Sequence, residues 1–306
     1  MGSTIFDALS VLFAGSLITD VADFIGTIMD ALREIFTMSQ IGGFIDIFLA
    51  IGAACMTIFL YVDLSGRFSR EMLSFEQLVL VLIRYVIAMI VLIYLKEIII
   101  FLFQLVSGLY DIAVESMNAG TGNPYSSVLE FFPDDGNSDP SVWPAYSEVQ
   151  DAFESEFESS IGSYLEHMGL FLLSFVIKFF GWLAKAVAYL IAISSAIALI
   201  ARAIMSPIGV VQLFDEGTRS AGILYLKKFV REGLTFFAML IILYASSLIQ
   251  ANVILVLVPS IGDALTVANA SEMLSGSVAI AAIAIQLSTI GAMFKAGQIS
   301  GDVVGV

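Results

Sequence analysis

Residues 168–205 read MGLFLLSFVIKFFGWLAKAVAYLIAISSAIALIARAIM and decide the class of fold. Their only charged side chains are Lys178, Lys185 and Arg202. A helix that crosses the roughly 30 Å hydrocarbon core needs about 20 apolar residues. The run is much longer than one crossing needs, so it predicts a helix that either projects outward or breaks near Gly181. We expect residues 183–205 to cross the membrane and residues 168–182 to lie along or above its outer surface.

Four more apolar runs lie on either side of this stretch, at about 43–62, 78–106, 234–258 and 273–294. In the second of them, residues 78–95 could cross alone while the rest continues outward. The chain is 59% hydrophobic and 13% charged, whereas soluble domains are about 45–50% apolar and about 25% charged. The predicted fold is therefore all-α: a polytopic membrane helical bundle of about five transmembrane helices.

The distribution of basic residues predicts the orientation, because such residues accumulate in short cytoplasmic loops. Residues 97–177 and 259–272 contain no Lys or Arg. The loops after the first and third spans, and the segment after the fifth, are instead basic: Arg67, Arg70, Arg202, Arg219, Lys227, Lys228, Arg231 and Lys295. This pattern places the N-terminus outside and the C-terminus in the cytoplasm.

Four regions follow from these patterns. Residues 1–40 are predicted to be amphipathic N-terminal helices at the outer interface, although an ordinary helix packed on the bundle is the alternative. Residues 41–106 hold transmembrane helices 1 and 2, and residues 107–167 form an acidic extracytoplasmic loop and helix. Residues 168–306 hold transmembrane helices 3 to 5, with a basic cytoplasmic loop at 206–233.

The acidic extracytoplasmic helix carries an apolar face. Phe153, Phe157 and Ile161 recur every four residues and so lie on one side of a helix. This face packs either on the protein's own outer surface or on a partner subunit.

Two features inside the third span have a structural and a functional interpretation. Lys178 and Lys185 are seven residues apart on one helix face, and they either line a water-filled path or lie at the interface. Small residues spaced by four allow helices to approach closely, within the bundle or between subunits; they are Ala184, Ala188, Ala192 and Ala196.

No catalytic pattern is present. Cys55 is the one cysteine and His167 the one histidine, so neither a metal site nor a bound cofactor is expected. The chain contains no phosphate-binding Gly-rich loop, no His-Glu-x-x-His and no Gly-x-Ser-x-Gly. We therefore expect no enzyme activity. The net charge of −15 also argues against a surface that binds the phosphate backbone of nucleic acid.

The end of the third span carries a recognisable stretch: IARAIMSPIG at 200–209, FDEGTRSAG at 214–222 and YLKKF at 225–229. We expect Pro207 and Gly209 to end the span, an interfacial turn to follow, and a basic amphipathic helix to lead into the fourth span. This stretch resembles the TrbL-type polytopic inner-membrane subunit of type IV secretion and conjugation systems. The layout of five spans with a large outer loop is similar over nearly the whole chain.

The resemblance implies a non-enzymatic channel or assembly-platform subunit that helps DNA or protein cross the bacterial cytoplasmic membrane. It implies a homo-oligomeric ring in membrane lipid, with ATPases inside, pilin- or adhesin-like proteins outside and nucleic acid only as transient cargo. The compact form of the chain would suit a Gram-positive mobile element. The implied cytoplasmic contact region comprises Arg202, Ser206, Pro207, Gly209, Gly217, Arg219, Lys227, Lys228 and Arg231. A small-molecule transporter or permease component and a non-conducting membrane scaffold are the alternatives.

Overall fold

The computed structural model describes residues 8, 16–37, 39–68, 75–119, 168–215, 217–257 and 276–306. In this part of the chain the structure is all-helical and contains no strand. The helices are α1 (Ser16–Thr37), α2 (Ser39–Phe68), α3 (Phe75–Ile93), α4 (Leu95–Ala119), α5 (Met168–Val211), α6 (Arg219–Leu257), α7 (Gly276–Phe294) and α8 (Ala296–Val304). The prediction of an all-α chain is confirmed for these residues.

Five of these helices are long and apolar enough to cross a membrane. The candidate spans are Gly42–Gly66, Leu95–Glu115, Phe171–Val211, Arg219–Gln250 and Gly276–Phe294. Large apolar side chains are exposed along them, which suits lipid as the surrounding solvent and not water; examples are Ile58, Phe101, Leu172, Ile197 and Ile280. The chain is thus compatible with a multi-pass membrane protein.

The predicted second span is divided at Tyr94 into two helices. Leu95–Glu115 has the length of a span, whereas Leu78–Ile93 is a shorter apolar helix. The helical hydrogen bonds nevertheless continue through the division, since Tyr94 N donates to Ile90 O at 3.1 Å and Ile98 N donates to Tyr94 O at 3.0 Å. The division is therefore a local irregularity in a nearly continuous helical run.

The third span is one continuous helix. α5 has 44 residues, or about 66 Å at 1.5 Å per residue, more than twice the hydrocarbon thickness. Of the two predicted alternatives for this stretch, a break near Gly181 is wrong and the long uninterrupted helix is found.

Pro207 does not end α5, so the expectation that it breaks the span is also wrong. Proline has no backbone N–H and therefore leaves the carbonyl four residues earlier without its helical donor. Here that carbonyl belongs to Ala203, and the Ser206 hydroxyl donates to it at 2.7 Å. Both Ser206 and Pro207 are buried. Because the freed acceptor is satisfied locally, the helix continues to Val211.

α1 is amphipathic and buries one face. The buried side chains recur every three or four residues, as a packed helix requires; they are Val21, Ile25, Met29, Leu32 and Phe36. Phe36 stacks on Phe103 of α4 with ring centroids 4.6 Å apart. The C-terminal part of α1 therefore packs on α4.

An ion-pair network holds the end of α1 against α4. Arg33 Nε donates to the Ser107 hydroxyl at 2.7 Å, and the guanidinium also pairs with Asp30 and Asp111. The hydrogen bond to Asp111, partly opposed by burial, raises the pKa of Arg33 above its ordinary value. The pairs are partly exposed, so each contributes about 0–1 kcal/mol.

The chain divides into two compact units. The first comprises the described parts of Met1–Ile25, Ile112–Ile191 and Met239–Lys295, and the second comprises those of Gly26–Asp111, Ala192–Ala238 and Ala296–Val306. All nine residues of the predicted cytoplasmic contact region belong to the second unit. The predicted acidic loop and helix, with the face of Phe153, Phe157 and Ile161, lie outside the described residues.

Candidate functional site

The end of α5 and the start of α6 form an antiparallel corner in the second unit. The Tyr225 hydroxyl of α6 donates to the carbonyl oxygen of Arg202 in α5. Arg202 Nη2 in turn donates to Glu232 Oε1 at 3.0 Å, and both side chains are less than a third exposed. A hydrogen bond between charged groups contributes about 1.5–3 kcal/mol, so this pair connects the two helices firmly.

Two glycines allow the helices of the corner to approach closely. A Cβ on Gly209 would lie 2.4 Å from ring carbons of Tyr225, which is closer than any real contact. A Cβ on Gly222 would lie 2.7 Å from the backbone nitrogen of Leu213. Any larger residue at either position would therefore push α6 away from α5.

The connection between the helices, residues 212–218, is a hydrogen-bonded turn. Asp215 Oδ2 accepts from the Thr218 backbone N at 3.0 Å and from the Thr218 hydroxyl at 2.9 Å. The same hydroxyl lies 3.2 Å from Gln212 O, and Thr218 O accepts from Ala221 N at 2.9 Å. Thr218 thus stands at the N-cap of α6, where its carbonyl begins the helical hydrogen bonds.

The C-terminal helix α8 is bound to α6 through polar contacts. Arg231 Nε donates to Gly297 O at 2.8 Å, and the Thr235 and Ser300 hydroxyls are 3.1 Å apart. Lys227 Nζ donates to Gly305 O at 3.2 Å. Basic side chains of the predicted contact region therefore also hold the end of the chain.

The structure separates the predicted contact residues into two groups. One group is engaged in hydrogen bonds or close packing within the second unit: Arg202, Ser206, Pro207, Gly209, Lys227 and Arg231. In the other group, Gly217 and Arg219 are exposed and Lys228 is half-buried. The second group supplies the surface that a partner could touch.

The other predicted positions lie on α5. Ala184, Ala188, Ala192 and Ala196 are all buried within the single chain, so this face is already covered by other parts of the protomer. Lys178 is exposed. Lys185 pairs with Asp20 of α1, beside a Phe24–Tyr189 ring stack at 3.8 Å, and is therefore engaged with a neighbouring helix.

Four residues that hold the corner together were not among the predicted site residues: Asp215, Thr218, Tyr225 and Glu232. A threonine directly before a helix is a residue type favoured at the N-cap, and the sequence does contain this signal at Thr218. The roles of Tyr225 and Glu232 depend on which residues of α5 face them. No local pattern marks that pairing.

Acidic side chains of the corner are engaged in hydrogen bonds within it. Among the described residues, no group of three or more His, Cys, Asp or Glu side chains could hold a metal ion. The carboxylates of Asp215 and Glu232 both accept bonds from within the corner. The arrangement can hold two long helices rigidly and present a partly basic surface.

Comparison with family models, curated proteins and solved structures gives no match.

Proposed function

We propose that this chain is a channel or assembly-platform subunit of a type IV secretion or conjugative transfer machine in a bacterial cytoplasmic membrane. The observation that carries the proposal is the similarity of residues 200–229 to the TrbL-type subunit, together with the helical corner that these residues form. Their small and polar members form a rigid helical corner, and Arg219 is exposed beside it. Such a corner suits docking of another protein better than chemistry.

In this proposal the corner faces the cytoplasm and the N-terminus lies outside. The basic residues of the corner support that orientation through the positive-inside tendency. α8 belongs to the same side because Lys227 binds the Gly305 carbonyl. The docking partner is then a cytoplasmic ATPase of the machine, and residues 107–167 meet pilin- or adhesin-like subunits outside.

Cysteine labelling tests the orientation. Single-cysteine variants are simple to prepare, because Cys55 is the one native cysteine that must be removed. In a Cys55→Ala background, Ser220→Cys should resist a membrane-impermeant maleimide in intact cells and react after lysis. Ser138→Cys should react in intact cells. Labelling of Ser220→Cys from outside would refute the proposed orientation.

Native mass spectrometry of the protein in mild detergent tests the assembly. A closed ring of several copies supports the platform. A clean monomer would eliminate the homo-oligomeric form of the proposal. Since Ala184–Ala196 are buried within the chain, we expect the ring contacts to use exposed apolar faces instead.

Charge substitution at Arg219 tests the docking surface. In a mating assay, Arg219→Glu should lower the transfer frequency about tenfold or more, as expected when a charged contact is reversed. Arg219→Lys keeps the charge and is the matched control. Equal transfer by both variants, at equal membrane levels, would show that the corner does not dock an essential partner.

The transporter alternative is favoured by one observation in the first unit. Ser174 Oγ and Gln286 Oε1 are buried with no hydrogen-bond partner, although buried polar groups in membrane helices are costly and often functional. A transporter would bind its solute within one protomer. A monomer that takes up a small solute into proteoliposomes would support this alternative over the secretion subunit.

A further inference from the structure

The N-terminal part of α5, residues 168–182, leaves an apolar stripe exposed. The members of the stripe share one side of the helix; they are Met168, Leu172, Phe175, Phe179 and Trp182. Trp182 is 64% exposed and Phe175 is 56% exposed. The opposite side of the same part of the helix is buried at Ser174, Ile177 and Gly181. One side of α5 therefore packs within the chain, whereas the stripe has no covering surface among the described residues.

The stripe lies outside the part of α5 that the hydrocarbon core covers. Lys185 of α5 forms an ion pair with Asp20, and Arg202 forms one with Glu232. No charged side chain lies between Lys185 and Arg202, and their separation along the helix is about 26 Å at 1.5 Å per residue. This distance is close to the roughly 30 Å thickness of the hydrocarbon core. Because α5 continues without a break to its first residue, residues 168–182 project beyond the membrane at the end away from Arg202, where exposed aromatic side chains would meet water.

The spacing of the stripe is that of a coiled coil. Successive members are four, three, four and three residues apart, so apolar side chains recur on average every 3.5 residues, as at the a and d positions of a heptad. The stripe ends where α1 covers α5, at the Phe24–Tyr189 ring stack and the ion pair of Lys185. The spacing therefore predicts that residues 168–182 associate with another helix over about two heptads.

The same helix of a second copy fits this stripe. Copies inserted in one membrane share one orientation, so their stripes lie at the same height and run parallel. Confinement to the membrane also raises the effective concentration of each stripe near the others, which compensates for the short seam. Large side chains bury about 150–250 Å² each. Because about half of each stripe residue is exposed, two facing stripes bury about 1,000 Å² in total, the area that a specific interface needs.

We propose that residues 168–182 form the contact between copies of this chain, as a short parallel coiled coil just outside the membrane. Phe175 and Phe179 lie at the centre of the seam, and Trp182 lies next to the lipid headgroups, where tryptophan is favoured. The copies thereby cover the stripe that each alone would expose to water. The inference deepens the proposed function and rests on its homo-oligomeric form, since it names the surface through which the copies meet.

Disulfide cross-linking of the full chain in membranes tests the contact. In a Cys55→Ala background, Phe175→Cys and Phe179→Cys should be converted to cross-linked dimers by copper phenanthroline, because facing positions of a coiled-coil seam lie within disulfide reach. Ile280→Cys is the control, since this α7 side chain is apolar and 71% exposed but does not belong to the stripe. It should remain a monomer. Dimer formation by both stripe variants that is no greater than that of the control would overturn the proposal.

Native mass spectrometry of matched variants separates this contact from the proposed function. Phe175→Glu places a charge in every copy of the seam and should cause loss of the ring, whereas Phe175→Leu keeps the seam apolar and should assemble like the wild type. Because Phe175 is exposed, neither substitution disturbs the packing within one chain. A ring formed by Phe175→Glu as by the wild type would refute this contact and leave the oligomeric platform standing. A monomeric wild type would refute both.

Discussion

Replacing Gly209 with alanine tests how closely α5 and α6 approach each other. The new methyl group would lie 2.4 Å from the Cγ and Cδ1 atoms of Tyr225, whereas ordinary contacts are 3.4–4 Å. The ring must therefore retreat by about 1 Å, and ring atoms next to the backbone cannot do so without moving α6. Overpacking of this kind costs about 1–3 kcal/mol.

Two smaller effects modify that value. Movement of the ring disrupts the hydrogen bond from the Tyr225 hydroxyl to Arg202 O, at a cost of about 1 kcal/mol. Alanine is a better helix former than glycine by about 1 kcal/mol, which offsets that loss. The expected net destabilisation is about 1–3 kcal/mol.

The assay is thermal unfolding in detergent, followed by tyrosine and tryptophan fluorescence. The expected loss corresponds to a Tm lowered by about 2–4 °C per kcal/mol. Gly291→Ala is the matched control, because no atom lies within 4 Å of its new methyl group, and helix propensity alone should raise its Tm slightly. In a Tyr225→Ala background, Gly209→Ala should cost less stability than it does in the wild type, since the clash with the ring is then absent. A Gly209→Ala protein that unfolds at or above the wild-type temperature would show that the close approach does not exist.

Three further predictions concern single contacts. Gly222→Ala should lower the Tm more than Gly209→Ala, because its methyl group meets the backbone nitrogen of Leu213 at 2.7 Å and backbone cannot rotate aside; an unchanged Tm would contradict this. Thr218→Ala should destabilise the protein by about 1 kcal/mol through loss of the hydrogen bond that the Thr218 hydroxyl donates to the Asp215 carboxylate, whereas Thr218→Ser keeps the hydroxyl and should unfold like the wild type. Arg33→Gln should lower the free energy of unfolding by less than about 1 kcal/mol, since its ion pairs are partly exposed. It should nevertheless increase hydrogen–deuterium exchange in residues 16–37. Exchange equal to that of the wild type would argue against this attachment of α1 to α4.

Local patterns in the sequence were enough to predict the helical class and the number of candidate spans. A chain in lipid must satisfy its backbone groups internally, so long apolar runs become helices whatever their neighbours are. The number of apolar runs accordingly equals the number of candidate spans, although the second candidate span is Leu95–Glu115 and not residues 78–95. The mixture of apolar and acidic side chains in residues 1–40 likewise predicted amphipathic helices, and Ser16–Thr37 within that range is an amphipathic helix.

Predictions about where helices stop were less accurate, and Pro207 shows why. Proline alone argues for a break, but the outcome depended on whether the freed Ala203 carbonyl found another donor. The Ser206 hydroxyl provides it. The adjacent serine was visible in the sequence, but the rotamer that makes the bond was not.

What the sequence by itself determined is the all-helical class and the approximate positions of the apolar helices, because both depend on residues within a few turns of one another. What only the tertiary structure decided is which residues meet across helices. Tyr225 covers Gly209, Glu232 pairs with Arg202, and Arg231 binds the carbonyl of Gly297. These pairings depend on helix rotation and on close approach between segments distant in sequence, and the helical period leaves both undetermined.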